Sequence, residues 1–96
     1  MSSLKMRRDV WRILAEWGVP INRAVREGLR IIAARPELLP KLVREAERGE
    51  RLFTRAALDA ETREVAERMA QELGVSLHAL LNAAAVAYVK SRHPYF

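Results

Sequence analysis

Two short stretches of this chain alternate between apolar or small residues and a second set of positions that holds their basic side chains. Lys5 and Arg7 alternate with apolar residues near the N-terminus, and Arg55 lies in a similar alternating stretch at residues 51–58. A period of two is that of a β-strand, so each stretch would turn its basic side chains to one face. A two-stranded ribbon is one of the few protein elements that fits the major groove of DNA. These residues therefore predict the recognition of DNA.

The second stretch has the clearer strand pattern. Its apolar and small residues alternate with Arg51, Phe53, Arg55 and Ala57. The first stretch is shorter, and its outward positions would be Ser3, Lys5 and Arg7. A helix follows from about Arg8 in the first copy, and from Asp59 as an N-cap in the second. The sequence also allows one long helix over residues 54–73, capped by Thr54, which would make the chain an all-α bundle.

A Gly-Val dipeptide recurs 56 residues apart, at Gly18 and Gly74, each time between two amphipathic segments. The helical stripes after the two glycines match at this offset. The apolar or small positions of the first are Ile21, Ala24, Val25, Gly28, Leu29, Ile32 and Ala33, and those of the second are Leu77, Leu80, Leu81, Ala84, Ala85, Tyr88 and Val89. The segments before the glycines match as well, with Trp17 predicted in the core. Each glycine suits the left-handed position after a helix, while Ser76 and Pro20 suit helix starts.

Residues 36–50 join the two copies. Pro36 ends the preceding helix, because proline lacks the N–H that a helix interior needs. Pro40 is expected in the first turn of a short linker helix that runs to about Arg48 and is closed by Gly49. The predicted organisation is a first unit at residues 1–35, the linker at 36–50 and a second unit at 51–96, all sharing one core.

The composition favours an anionic partner. The 96 residues carry a formal net charge of +5, and residues 1–50 hold 11 Lys and Arg against 7 Asp and Glu. A basic surface attracts polyanions such as nucleic acid. The chain has no cysteine, which excludes disulfides and thiolate metal sites. Because no apolar run approaches about 20 residues and no signal-peptide pattern is present, we expect a cytoplasmic protein without membrane contact.

The repeated pattern resembles the ribbon-helix-helix family of DNA-binding proteins, the class of the Arc and methionine repressors. The stretch from Leu52 to Arg92 is similar to one whole unit, with Asp59 opening the first helix and Gly74-Val75-Ser76 at the turn. Residues Ser3 to Arg35 resemble a second unit with a shorter first helix. The resemblance implies a mainly α fold with a short two-stranded antiparallel β-ribbon, a tandem ribbon-helix-helix pseudodimer within one chain.

In that family the outward side chains of the ribbon read base edges, and N–H groups at the start of the second helix hold phosphates. The resemblance implies that the base-contacting residues are Ser3, Lys5, Arg7, Phe53, Arg55 and Ala57. It implies phosphate contacts at Ile21, Asn22, Ser76 and Leu77. Arg8 and Arg12 are expected to reach further phosphates from the first helix. Ala57 offers no hydrogen bond, and Phe53 would make only apolar contact, such as with a thymine methyl group.

No arrangement of residues in the sequence points to catalysis. There is no Gly-rich phosphate loop and no His-based triad spacing, so we expect no enzymatic activity and no cofactor. The two histidines, His78 and His93, lack a cysteine or a close acidic cluster, so a metal site is not predicted.

The leading hypothesis is a sequence-specific transcriptional regulator, such as a repressor, with double-stranded DNA as its partner. A second copy bound on the DNA would restore the symmetry of an operator. Two alternatives stay open. In one, the chain is an antitoxin-type or other protein-interaction module whose linker helix or C-terminal aromatic tail binds a protein partner. In the other, it is a non-specific architectural DNA-binding protein.

Overall fold

The structure is a computed structural model that describes residues 2–93 and Phe96, with Ser2 described by its backbone alone. Its elements follow the predicted order. They are β1 (Ser2–Arg7), α1 (Arg8–Trp17), α2 (Ile21–Ala34), a 3₁₀ turn (Pro36–Leu38), α3 (Leu39–Ala46), β2 (Arg51–Ala56), α4 (Ala60–Leu73) and α5 (Leu77–Arg92). The prediction of a mainly helical chain with one short antiparallel ribbon is confirmed.

The ribbon pairs the two strands antiparallel from end to end. Leu4 lies opposite Thr54 and Met6 opposite Leu52, and Leu4 and Met6 are buried on the helices. Alternate side chains therefore point into the core, as the period of two requires. The alternative of one helix over residues 54–73 is wrong, because residues 51–56 form the ladder with β1.

The caps predicted at the helix ends are present in the structure. Asp59 accepts a hydrogen bond from the backbone N of Thr62, and Ser76 accepts one from the backbone N of Ala79. Gly18 and Gly74 end α1 and α4 in the left-handed conformation, with φ of 66° and 69°, where a side chain would be strained. Both units thus turn between their helices by the same means.

The linker folds back onto the second unit. It forms the 3₁₀ turn and then α3, which ends at Ala46, two residues before the predicted end. Leu39 and Leu42 are buried against α5. Lys90 of α5 donates to both carboxylate oxygens of Glu45, at 2.9 Å each. An apolar contact and a charged hydrogen bond therefore hold α3 in place.

The core centres on the crossing of α2 and α5, the most extensive helix contact in the molecule. Helix α5 is buried all round from Leu80 to Val89, because α2, α3, α4, α1 and β1 all pack on it. Among the described residues no single helix is long and apolar enough to cross a membrane. Helices α4 and α5 meet such a test only jointly, and they are bent by 107° at their junction.

Candidate nucleic-acid interface

The outward face of the ribbon is basic along its whole length. It consists of Ser3, Lys5 and Arg7 from β1 and Arg51, Phe53 and Arg55 from β2. Neither strand contains an acidic residue. Arg51 was missing from the predicted site, although its position in the alternation places it on this face. The face therefore carries four cationic side chains, a charge that favours a polyanionic partner.

The centre of this face is the pair of Lys5 and Phe53, which lie directly opposite each other. The Lys5 Nζ is 5.5 Å from the centroid of the Phe53 ring, a cation–π distance. Phe53 is 74% exposed. A large apolar side chain so exposed on a basic face is suited to contact with an apolar group of a partner.

The end of the ribbon formed by Ser3 and Arg55 is open to solvent. Both residues are exposed, and they lie opposite each other in the ladder. Within residues 2–93 and Phe96, no hydrogen bond or ion pair engages the Arg55 guanidinium. Arg55 can therefore turn its guanidinium to a partner without breaking a contact of its own chain.

The opposite end holds Arg7 in a different state. The Arg7 Nη1 donates to the backbone oxygen of Glu45 at 2.9 Å, and Nε donates to Oδ1 of Asp9 at 3.0 Å. The guanidinium also lies 4.9 Å from the Phe96 ring centroid, and the Arg7 side chain is only 18% exposed. The Arg7 guanidinium thus joins β1 to α1 and α3. A contact between Arg7 and a DNA base would require the loss of its hydrogen bonds to Asp9 and Glu45.

Arg51, next to Arg7, is also engaged by its own chain. Its Nη2 donates to the backbone oxygen of Lys5 at 3.1 Å. Asn82 of α5 donates to the same oxygen at 2.8 Å. The ribbon is thus fixed to α5 beneath it, and the two arginines at this end act as much in folding as on the surface.

Ala57 lies outside the ribbon on which it was expected. Strand β2 ends at Ala56, whose side chain is buried, and Ala57 follows it as an exposed residue. The chain turns away at this point because Asp59 must take the N-cap position of α4. Of the six ribbon residues predicted, five share the outward face and Ala57 does not.

The start of α2 is tied to the start of α4. The Asn22 Nδ2 donates to Oδ2 of Asp59 at 2.9 Å, and the Asp59 backbone N donates to Oδ1 of Asn22 at 3.0 Å. Pro20 occupies the N-cap position and offers neither an N–H nor a capping side chain. The backbone N–H groups of Ile21 and Asn22 thus begin α2 without a side-chain cap, as the predicted phosphate contacts require.

Asp59 stays ionised at neutral pH. Hydrogen bonds from the backbone N of Thr62, and then from the Asn22 side chain, lower the pKa of the carboxyl from its ordinary value of 3.8. Donors that stabilise the charged form have this effect on a carboxyl group. The carboxylate is fully exposed, so it presents a fixed negative charge beside the start of α2.

The start of α5 is built differently. Ser76 uses its Oγ on the backbone N of Ala79, at 3.1 Å, and Leu77 is half-buried behind it. Ser76 and His78 line a cavity of about 200 Å³ together with Arg51 and Glu47. The second predicted phosphate contact therefore lies beside the Arg7–Arg51 end of the ribbon, and the first lies beside the Arg55 end.

Arg8 and Arg12 are exposed on α1, as their predicted role requires. The Arg8 Nη1 lies 3.0 Å from Oε2 of Glu50, and both arginines line one shallow cavity with Glu50. An exposed pair of this kind contributes little to stability and is screened by salt. Both guanidiniums therefore remain accessible to an anionic partner.

The prediction that Trp17 lies in the core is wrong. Trp17 is 39% exposed, not buried as its place in the apolar stripe predicted. It is the last residue of α1 and lies beside the Gly18 turn. Among the described residues, no group of three His, Asp or Glu side chains is arranged to hold a metal ion.

Comparison of this chain with models of protein families, with curated proteins and with solved structures gives no match.

Proposed function

We propose that this protein is a sequence-specific DNA-binding regulator of transcription that inserts its β-ribbon into the major groove. The observation that supports the proposal most directly is the acid-free outward face, with Phe53 and Arg55 exposed and Lys5 half-buried on a ribbon anchored to a helical core. A ribbon of two strands has the width that the major groove accepts. The fold also has the element order of the ribbon-helix-helix proteins that the sequence resembles.

Base recognition in this proposal depends on three side chains. Arg55 and Lys5 would donate to guanine O6 and N7, the commonest specific contact of basic side chains. Phe53 between them would contact a thymine methyl group. Ser3 would add a hydrogen bond at the Arg55 end, whereas Arg7 would serve to hold the ribbon rather than to read bases.

Phosphate contacts would position the ribbon in the groove. The N-termini of α2 and α5 lie beside opposite ends of the ribbon and carry backbone N–H donors, at Ile21 and Asn22 and at Ser76 and Leu77. Helix N-termini bind phosphate through such donors and the helix dipole. Arg8 and Arg12 would add charge, so binding should weaken steeply with salt.

One chain would read two unlike half-sites, because its two strands differ in sequence. The ribbon presents Ser3 and Lys5 from one strand and Phe53 and Arg55 from the other. A second copy bound beside the first would make the whole operator symmetric. The proposed regulator needs no catalytic group, metal or cofactor, and it keeps the cytoplasmic location expected from the sequence.

An antitoxin-type role through the linker helix has less support. That role predicted an exposed apolar stripe at Leu38, Leu39, Leu42 and Val43. Leu39 and Leu42 are buried in the core, and Leu38 and Val43 are half-buried against it. In the aromatic tail, Phe96 packs over Arg7, and Tyr95 lies outside the described residues.

Selection from random double-stranded oligonucleotides tests the proposal. The wild type should enrich a motif, and the double variant Lys5→Ala/Arg55→Ala should lose or alter it. Lys41→Ala/Arg68→Ala is a matched control, because it removes two exposed positive charges from α3 and α4 rather than from the ribbon. The control should weaken binding slightly and keep the motif.

Three results would contradict the proposal in different ways. No DNA binding by the wild type would reject both the regulator and the architectural alternative. Binding that depends on salt but not on sequence would support the architectural protein. A motif that survives the Lys5→Ala/Arg55→Ala change would show that the ribbon does not read bases.

A further inference from the structure

Asp59 places a negative charge at one end of the proposed DNA-binding face. It follows the last residue of β2, Ala56, by three positions, and Arg55 on the same segment is a proposed base reader. The two bonds to Asn22 and the bond from the Thr62 backbone fix its carboxylate in position. DNA seated on the ribbon would bring its phosphates past this carboxylate.

The carboxylate lies where the first phosphate contact is proposed. Asn22 is in the first turn of α2, and its side chain binds the Asp59 Oδ2 directly. The positive charge of Arg26, one turn further along α2, also lowers the pKa of Asp59. A phosphate that approached the α2 N-terminus would therefore meet a fixed anion of the protein's own chain.

The start of α5 lacks this arrangement. The carboxylate in its cavity is Glu47, and the same cavity contains Arg51 and His78. Glu47 therefore shares its surroundings with a guanidinium that faces the same cavity. The Ser76 side chain is bonded to its own helix at Ala79 and not to an acid.

We propose that Asp59 is a specificity-determining residue that repels the DNA backbone at the α2 end, so that a single chain holds phosphates firmly at its α5 end and weakly at its α2 end. The inference depends on the proposed DNA-binding function and names a residue that limits it. The complex with DNA would therefore be asymmetric, since the Arg55 half-site would contribute fewer phosphate contacts than the other half-site.

The test compares Asp59→Asn with Glu61→Gln on the DNA site selected by the wild type. Both variants remove one exposed negative charge from the start of α4, but only Asp59 is bonded to Asn22. Asparagine remains a good N-cap. Two unit charges about 7 Å apart in water interact by an amount worth about threefold in a binding constant. Asp59→Asn should therefore tighten binding about threefold and Glu61→Gln distinctly less.

A map of phosphate contacts by ethylation interference gives the positional readout. Asp59→Asn should add interference at phosphates flanking the Arg55 half-site and leave the other flank unchanged. Asp59→Ser is a second variant that keeps an N-cap side chain and removes the charge. It should give the same result, and it serves as the test if Asp59→Asn does not fold. Thermal unfolding of each variant checks that the fold is retained.

The outcomes separate this inference from the function on which it depends. If Asp59→Asn and Glu61→Gln tighten DNA binding equally, Asp59 acts only through the net charge of the protein. That result would overturn the inference and leave the proposed DNA-binding function intact. Weaker binding by both Asp59→Asn and Asp59→Ser would overturn it as well, because Asp59 would then support the complex. A wild type that binds no DNA would reject the proposed function itself, and the inference with it.

Discussion

Gly28 and Ala84 are in direct backbone contact where α2 crosses α5, and they are equivalent residues of the internal repeat. A Cβ atom placed on Gly28 would lie 1.9 Å from the carbonyl oxygen of Ala84. The two residues are 56 positions apart, the offset that also relates Gly18 to Gly74. A two-fold relation between units brings equivalent residues together at its axis. The contact therefore supports a pseudodimer built from one chain.

Gly28→Ala should be strongly destabilising although alanine favours helices. The added methyl group meets backbone rather than a flexible side chain, so the two helices must separate. Overpacking of this kind costs about 3 kcal/mol. Gly18→Ala is the control, since its Cβ would meet nothing within 4 Å but its φ of 66° is left-handed, which costs about 1 kcal/mol. Urea unfolding in which Gly28→Ala is no worse than Gly18→Ala would contradict the close crossing.

Arg7→Lys should reduce stability and leave the DNA motif unchanged. Lysine keeps the charge but cannot form the fork that joins Asp9 and the Glu45 backbone. Loss of these charged hydrogen bonds should lower the free energy of unfolding by about 1–2 kcal/mol. Lys5→Ala, on the outward face at the centre of the ribbon, should change it by less than about 0.5 kcal/mol. A motif altered by Arg7→Lys at unchanged stability would restore Arg7 as a base reader.

Phe53→Ala should weaken DNA binding without loss of stability. Phe53 is largely exposed, so removal of its ring should alter the free energy of unfolding by less than about 0.5 kcal/mol. Its proposed apolar contact with thymine is worth about 1 kcal/mol, or about fivefold in affinity. Phe53→Leu should retain most of that affinity. A stability loss equal to that of a core truncation would show that the ring packs elsewhere.

The Asp59 carboxylate should make stability depend on pH in the acid range. Its pKa in the folded protein lies below the ordinary value of 3.8, so the folded state favours the charged form. The stabilising contribution is complete above 3.8 and is lost as the pH falls through the folded pKa. Asp59→Asn should therefore be less stable than the wild type at pH 7, with a difference that shrinks below pH 3.8. A difference that grows on acidification would contradict this sign.

Local rules predicted the secondary structure because each signal lies within a few residues of its effect. The caps at Asp59 and Ser76, the left-handed glycines and the alternation of the strands all act through hydrogen bonds or backbone angles of near neighbours. The outward face of the ribbon followed from the same alternation. The exposure of Trp17 was not predicted. A helical stripe gives the direction in which a side chain points, but it does not show whether another element covers the end of the helix.

The sequence by itself determined the repeat, the order of elements and which residues of each strand face outward. These features depend on short-range periodicity and capping. Only the tertiary structure decided how each basic residue is used. Arg7 and Arg55 are alike in type and strand position, yet Arg7 is held by Asp9 and Glu45 while Arg55 is free of such bonds within the described residues. The difference arises because partners distant in sequence set the cost of exposing a charged group, and chain folding alone brings them together.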